Sequence, residues 1–225
     1  MAFHYWQITV SFIDSIFLFL ILLKIIKEYR KNKIENVSNL ALFIFFYLLF
    51  FASLIVGFIF FYRNDMIMGK LWHNVFSIFF LFGGAGFLLK IPASVYLPKI
   101  KGLLPYLTFG YGLAAALISF FNPHLPQFKN EVVLNNLPDW IIYNNIIFSL
   151  IIALTAGFFF VNGALAVKNK YLRRRYLILA LASFLLGISA LFWIPDPVFI
   201  KIFSIISIFA YGLAALGVYY QPKDI

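Results

Sequence analysis

Seven long, uninterrupted runs of apolar residues constrain the fold of this chain more than any other feature. A helix rises about 1.5 Å per residue and a bilayer core is about 30 Å thick, so a spanning helix needs about 17 to 25 apolar residues. Spanning β-strands are shorter and alternate polar with apolar residues, which these runs do not do. We therefore predict an all-α, polytopic membrane protein in which residues 1–225 form a single domain of seven transmembrane helices. The runs are Ile8 to Ile26, Leu40 to Phe61, Leu71 to Leu89, Leu103 to Phe121, Ile141 to Val167, Leu177 to Trp193 and Ile202 to Tyr220.

Composition and loop length exclude several classes of protein. Of the 225 residues, 64% are hydrophobic and 12% are charged, whereas a soluble domain has about 25% charged residues. The longest stretch between two runs is Asn122 to Asp139, which leaves no room for a separate soluble catalytic domain. The chain has no cysteine, so it forms no disulfide and offers no thiol nucleophile. No Lys or Arg precedes the first run and no small-residue cleavage site follows it, so we expect an uncleaved first helix.

The net charge of +10 is distributed very unevenly along the chain. If the N-terminus is outside, 14 of the 18 basic residues lie on the cytoplasmic side, and only Arg63, Lys70, Lys129 and Lys201 lie outside. Such a split in short loops is the positive-inside signal. We predict an N-out, C-in protein of a prokaryotic plasma membrane that contacts membrane lipids and no nucleic acid. The cytoplasmic residues are Lys24, Lys27, Arg30, Lys31, Lys33, Lys90, Lys99, Lys101, Lys168, Lys170, Arg173, Arg174, Arg175 and Lys223.

A polar stripe on the first helix is the strongest candidate for a binding site. Asp14 is the only acidic residue well inside an apolar run. A charge buried in lipid costs about 2.5–3.5 kcal/mol on insertion scales, so such a residue is a functional candidate. His4, Gln7, Ser11 and Ser15 share one helical face with Asp14. We predict that these five residues bind a ligand; the alternative is that Asp14 bonds to a neighbouring helix and only fixes packing.

The remaining chemical groups do not form a recognisable catalytic or metal site. The three histidines, His4, His73 and His124, are predicted to lie at the outer boundary, and none has the spacing of a paired metal ligand. The chain has no nucleophile elbow, phosphate loop, zinc-protease helix or pair of membrane carboxylates. We therefore predict a protein that is not an enzyme and has no cofactor or metal.

One short motif occurs twice and suggests an internal repeat. Residues 109–115 match residues 209–215 at six of seven positions. This match predicts two three-helix repeats, 38–123 and 140–222, of which the second would be inverted, as in many carriers. An alignment of helices one to three with helices five to seven competes with this one. The alternative is two small-residue faces for close helix packing.

The arrangement of seven N-out helices with short basic loops has a counterpart among known proteins. With basic segments such as Arg30-Lys-Asn-Lys33 and Leu172-Arg-Arg-Arg175, the whole chain resembles the seven-helix membrane input module of bacterial sensor kinases. The resemblance implies a sensor or receptor that binds a small ligand, a lipid or a partner from the outer side. The chain ends shortly after the seventh helix without an output domain, so we expect a separate membrane or cytoplasmic signalling partner.

Two other functions remain open at this stage. The chain resembles the seven-helix sugar carriers in helix number and orientation, which suggests a small-solute carrier or channel. Carriers often break their helices with glycine or proline near the middle of the membrane. All nine prolines here are predicted to lie in loops or in the first turns of helices, which argues against transport. The other function is that of an accessory subunit of a membrane complex.

Overall fold

The computed structural model describes residues 5–129, 132–134 and 137–220, and most of these residues lie in seven long helices. The all-α prediction is therefore confirmed, with the addition of one small antiparallel hairpin. The elements are α1 (Tyr5–Asn32), α2 (Glu35–Tyr62), α3 (Met66–Tyr96), α4 (Leu104–Phe121), β1 (Gln127–Lys129), β2 (Val132–Leu134), α5 (Asp139–Ala166), α6 (Lys170–Ser189) and α7 (Pro197–Tyr219).

Six of the seven helices are long and apolar enough to cross a membrane, and α6 is the exception. The helix begins at Lys170, well before the predicted apolar run that starts at Leu177. Its first turns therefore contain Arg173, Arg174 and Arg175, which lower its mean hydropathy. The structure supports a bundle of six helices able to span, and the seventh span stays a prediction.

Polar residues at the helix starts fix where several of these elements begin. Asp65, Asn169 and Asp196 precede α3, α6 and α7, and each accepts hydrogen bonds from backbone N–H groups of the following turn. Side chains of this kind satisfy donors that have no partner within the helix. Pro197 then occupies the first position of α7, where a missing N–H costs nothing.

The prediction for Pro92 was wrong, because α3 runs beyond the end of its apolar run. The helix continues from Leu89 to Tyr96, so Pro92 is buried within the helix instead of lying in a loop. Proline lacks the N–H that would bond to the carbonyl four residues earlier. The position is about one turn from the end of the helix, where this loss is tolerated. The middle of α3 remains free of proline.

Six of the helices form a closed ring. α1 packs against α2 and α7, α3 packs against α2 and α5, and α6 packs between α5 and α7. α4 lies outside this ring against α3, and the contact is close because a Cβ atom at Gly86 would lie 2.5 Å from the Cα atom of Pro105. The repeated motif therefore occupies two settings, α4 outside the ring and α7 within it. The predicted repeats stay a prediction.

The bundle has two chemically different ends. The hairpin end holds β1 and β2, the start of α1 and the turn between α2 and α3. The basic end holds residues 24–35, 90–101 and 168–175, including the basic residues of three loops. There Glu35 bonds to Lys90 at 2.9 Å and to Lys101 at 3.4 Å, which joins α2 to α3 and to the following turn. The predicted clustering of positive charge at one end thus appears in the structure, whereas the N-out orientation stays a prediction.

Candidate functional site

The helix ring encloses an elongated cavity of about 770 Å³. Its lining on α1 extends from Gln7 to Asn32, a distance of about 38 Å at 1.5 Å per residue. Most of the wall is aliphatic or aromatic and comes from α1, α2, α6 and α7. Small-molecule sites commonly have volumes of about 300–1,000 Å³ and apolar walls with a few polar groups. The cavity therefore has the size and surface of a ligand site.

Asp14 is the buried acidic residue in the wall of this cavity. The residue lines the cavity and is 0% exposed. Its Oδ2 atom accepts a hydrogen bond of 2.7 Å from the hydroxyl of Ser207 on α7. Its Oδ1 atom is buried and has no hydrogen-bond partner among the described residues. A buried polar atom without a partner costs about 1–3 kcal/mol, so the burial of this oxygen is not compensated.

The structure divides the polar stripe that contains Asp14. Gln7 and Ser11 line the same cavity, and the side-chain oxygen of Gln7 accepts a hydrogen bond of 2.8 Å from the backbone of Val133. Ser15 lies outside the lining, and its hydroxyl donates to the carbonyl of Ser11 at 2.7 Å. His4 lies outside the described residues. A ligand-binding role for the five residues stays a prediction.

His73 also lines the cavity, a position that could not be predicted from the sequence. The residue is 5% exposed, and its Nδ1 atom lies 2.9 Å from the Oδ1 atom of Asn74. It lies in a π-helical segment, Leu71–Phe76. Such segments shift the phase of a helix and often occur at functional sites. No pattern in the sequence indicates this segment, so the inward direction of His73 could not be foreseen.

Aromatic rings from α2 and α7 surround the middle of the cavity. Tyr47, Phe50, Phe51 and Tyr211 all belong to the lining. The rings of Phe51 and Tyr211 meet edge to face, with centroids 5.6 Å apart. Aromatic faces attract cations as well as apolar groups. This part of the wall can therefore accommodate a hydrocarbon or a protonated amine.

The hairpin closes one end of the cavity. Val132 and Leu134 pack with Ile200 on α7, and Val133 packs with Phe58 and Phe61 on α2. All six of these residues are buried: Leu134 is 7% exposed, and the other five are at most 4% exposed. Entry of a ligand from the outer side stays a prediction.

The basic end of the cavity is more open. Asn32, Tyr171 and Leu172 belong to the lining there and are exposed, whereas Lys24 and Arg175 are half-buried. Lys24 forms an ion pair of 3.4 Å with Glu28 on the same helix. Residues exposed to solvent therefore contribute to the lining at this end.

Comparisons with known proteins add no further constraint. Neither the known protein families nor the curated proteins include one that matches this chain. Within the described ranges, no three His, Asp or Glu side chains gather into an arrangement that could hold a metal ion. The arrangement that remains is an apolar cavity with a buried hydrogen-bond acceptor at Asp14.

Proposed function

We propose that this protein is a non-enzymatic membrane receptor that binds a small amphiphilic molecule in its central cavity. The observation that carries the proposal is the Oδ1 atom of Asp14, which is buried without a partner in the wall of an apolar cavity of about 770 Å³. The ligand presents an amine or hydroxyl donor to Asp14 and an apolar body to the surrounding wall.

An amine satisfies the site in either protonation state of Asp14. A carboxylate accepts a hydrogen bond from an ammonium group, and a neutral carboxyl group donates one to a neutral amine. The aromatic rings of Tyr47 and Phe51 favour a positive charge beside them. Ser207 holds the carboxyl group from the other side, so the acceptor is already oriented before a ligand arrives.

The membrane setting of the proposed receptor follows from its charge distribution. We place the basic end in the cytoplasm, by the positive-inside rule, and the hairpin on the outside of a prokaryotic plasma membrane. α6 then serves as a seventh span, with its arginines at the cytoplasmic interface. A bound ligand would be signalled to a separate membrane or cytoplasmic partner.

Thermal unfolding with a set of twelve-carbon probes tests the proposal. The full chain in phosphatidylcholine nanodiscs is heated with dodecylamine, dodecanol or dodecane, and the unfolding temperature is recorded. We expect dodecylamine to raise this temperature more than dodecane does. In Asp14→Asn the extra rise should disappear, because the amide carries no negative charge to pair with an ammonium group.

Asp139→Asn is the matched control for this experiment. Asp139 is exposed in the first turn of α5 and lies outside the cavity lining. The substitution makes the same chemical change and should leave the dodecylamine response unchanged. Equal responses in wild type and Asp14→Asn would remove Asp14 as the anchor of the site.

A second candidate function is a small-solute carrier, because the cavity lining extends along most of α1. Residues from Gln7 to Asn32 contribute to it, and that length exceeds the thickness of a bilayer core, about 30 Å. Proteoliposomes loaded with a panel of sugars, amino acids and amines test this function. Uptake above that of empty liposomes supports it, and sealed vesicles for the whole panel contradict it.

A further inference from the structure

The cavity contains a second polar region at its basic end, separate from Asp14. Lys24 and Arg175 are the two cationic side chains among the described residues of the lining. They lie on α1 and α6, at the end opposite to the hairpin. Ten residues separate Asp14 from Lys24 on α1, which is about 15 Å along the helix axis. The Glu28 carboxylate, which pairs with Lys24, also lines this end, so one cavity joins the buried Asp14 to a region with two cations and one carboxylate.

Arg175 belongs to the inward face of α6. Leu172, Arg175, Leu179 and Ser183 all line the cavity, and their spacing of three or four residues is that of a single helical face. The adjacent Arg174 is exposed and lies outside the lining. The two arginines therefore have the same chemistry and different surroundings.

The guanidinium group of Arg175 makes no hydrogen bond or ion pair with the described residues, and the residue as a whole is half-buried. Lys24, in contrast, is paired with Glu28 at 3.4 Å and lies 6.0 Å from the centre of the Tyr219 ring. A guanidinium group pairs with an anion, and its planar fork fits the two oxygens of a phosphate or carboxylate.

We infer that Arg175 binds the phosphate or carboxylate head of an amphiphile whose chain lies along the apolar cavity wall. The inference rests on the proposed function and adds the charge of the ligand's head group to it. A free anion would use the guanidinium but not the wall of Ile21, Ile25 and Leu179 that continues from it. An amphiphile uses both, since its chain removes apolar surface from water while its head stays at the membrane interface.

Dodecyl phosphate and inorganic phosphate are the probes that test this subsite. The full chain in phosphatidylcholine nanodiscs is titrated with each, and the rise in unfolding temperature gives a half-saturating concentration. Partitioning into the lipid is the same for every variant, so differences between variants report on the protein. We expect dodecyl phosphate to stabilise the wild type and inorganic phosphate to have no comparable effect.

Three variants separate Arg175 from general surface charge. Arg175→Gln should raise the half-saturating concentration of dodecyl phosphate by about tenfold or more, because it removes a charge-assisted pair. Arg174→Gln removes the same charge from the neighbouring exposed position and should change it by less than about twofold. Arg175→Lys keeps the charge without the fork and should fall between them, which also shows that the position tolerates substitution.

Three results would overturn the inference. They are equal binding of dodecyl phosphate by wild type and Arg175→Gln, an equal loss in Arg174→Gln, and the same stabilisation by inorganic phosphate. Dodecylamine in the same nanodiscs keeps the two proposals apart. If stabilisation by dodecylamine still depends on Asp14 while binding of dodecyl phosphate does not depend on Arg175, the subsite is wrong and the receptor proposal stands. If only the dependence on Arg175 is observed, the anchor at Asp14 is wrong.

Discussion

The two ends of the cavity are held together by different kinds of interaction. At the hairpin end, buried strand residues pack on α2 and α7, and the Gln7 side chain bonds to the backbone of Val133. At the basic end, partly exposed side chains form ion pairs such as Lys24 with Glu28. Directional and close-packed contacts fix a structure more firmly than solvated charges do. Stability should therefore be concentrated at the hairpin end, and the basic end should open more easily.

The largest effect is expected from Gly57→Ala at the hairpin end. A Cβ atom at Gly57 would lie 2.6 Å from the Cβ atom of His73 and 2.7 Å from its backbone nitrogen. Backbone cannot move aside as a side chain can, so α2 and α3 must separate. We expect a loss of about 3 kcal/mol or more in the free energy of unfolding, measured by denaturation in mixed micelles.

Gly110→Ala is the control for this change, because it adds the same methyl group to α4. No atom lies within 4 Å of a Cβ at that position, so stability should stay the same or rise by up to about 1 kcal/mol. Similar losses in the two variants would show that the contact between α2 and α3 is no tighter than an average lipid-facing position.

The next largest effect concerns the middle of the cavity, where Ser207 meets Asp14. Ser207→Ala removes the one hydrogen bond that the carboxyl group makes with the described residues. The variant should lose about 1–3 kcal/mol of unfolding free energy, because both oxygens of a buried carboxyl group are then without a partner. Chemical denaturation of the purified chain measures this loss.

Ser204→Ala provides the comparison on the same helix. The Ser204 hydroxyl donates only to the carbonyl of Ile200 on α7, at 2.6 Å. Its removal should change stability by less than about 0.5 kcal/mol. If Ser204→Ala is as damaging as Ser207→Ala, the bond to Asp14 contributes nothing specific.

A smaller and more local effect is expected where the hairpin meets α1. Gln7→Ala leaves the backbone N–H of Val133 buried without its partner, which costs about 1–2 kcal/mol. Hydrogen exchange in residues 132–134 should become about tenfold faster or more, as the strand opens without global unfolding. Gln127→Ala, at an exposed position of β1, should leave these rates unchanged. Unchanged rates in Gln7→Ala would show that the hydrogen bond from Val133 to Gln7 does not hold the strand in place.

The smallest effect is expected at the basic end. Glu28→Gln breaks the ion pair with Lys24, in which the Glu28 side chain is 37% exposed. An i,i+4 pair of this kind contributes about 0.3–0.5 kcal/mol. The difference from wild type should vanish in 1 M salt, where charges are screened over about 3 Å. If Glu28→Gln loses as much unfolding free energy as Ser207→Ala, the basic end is not held more weakly than the rest of the bundle.

The helices could be predicted from the sequence because their signal is local. Each apolar run needs only its own length to indicate a span, and all seven runs correspond to a helix of the structure. The boundaries of α6 were missed for a related reason, since a run of apolar residues cannot reveal that the helix extends over Arg173, Arg174 and Arg175. Helix propensity, not hydropathy, decides that extension, and arginine is a good helix former.

The cavity could be predicted only in part, because it depends on residues far apart in the chain. Helical spacing was enough to place Gln7, Ser11 and Asp14 on one face, and the structure places all three in the lining. Nothing in the sequence could identify Ser207 as the partner of Asp14, or indicate that a π-helical segment turns His73 inwards. The strand Val132–Leu134 was also missed, since three residues are too short for a periodic signal.

The closure of the ring between its first and last helices has a consequence for biosynthesis. Ser207, the hydrogen-bond partner of Asp14, lies 193 residues further along the chain. Chains are synthesised at about 5–20 residues per second, from the N-terminus onwards, so α1 emerges from the ribosome many seconds before α7 exists. Throughout that interval the carboxyl group is without its serine. The nascent chain therefore depends on water, lipid head groups or the insertion machinery to shelter Asp14 until the final helix arrives.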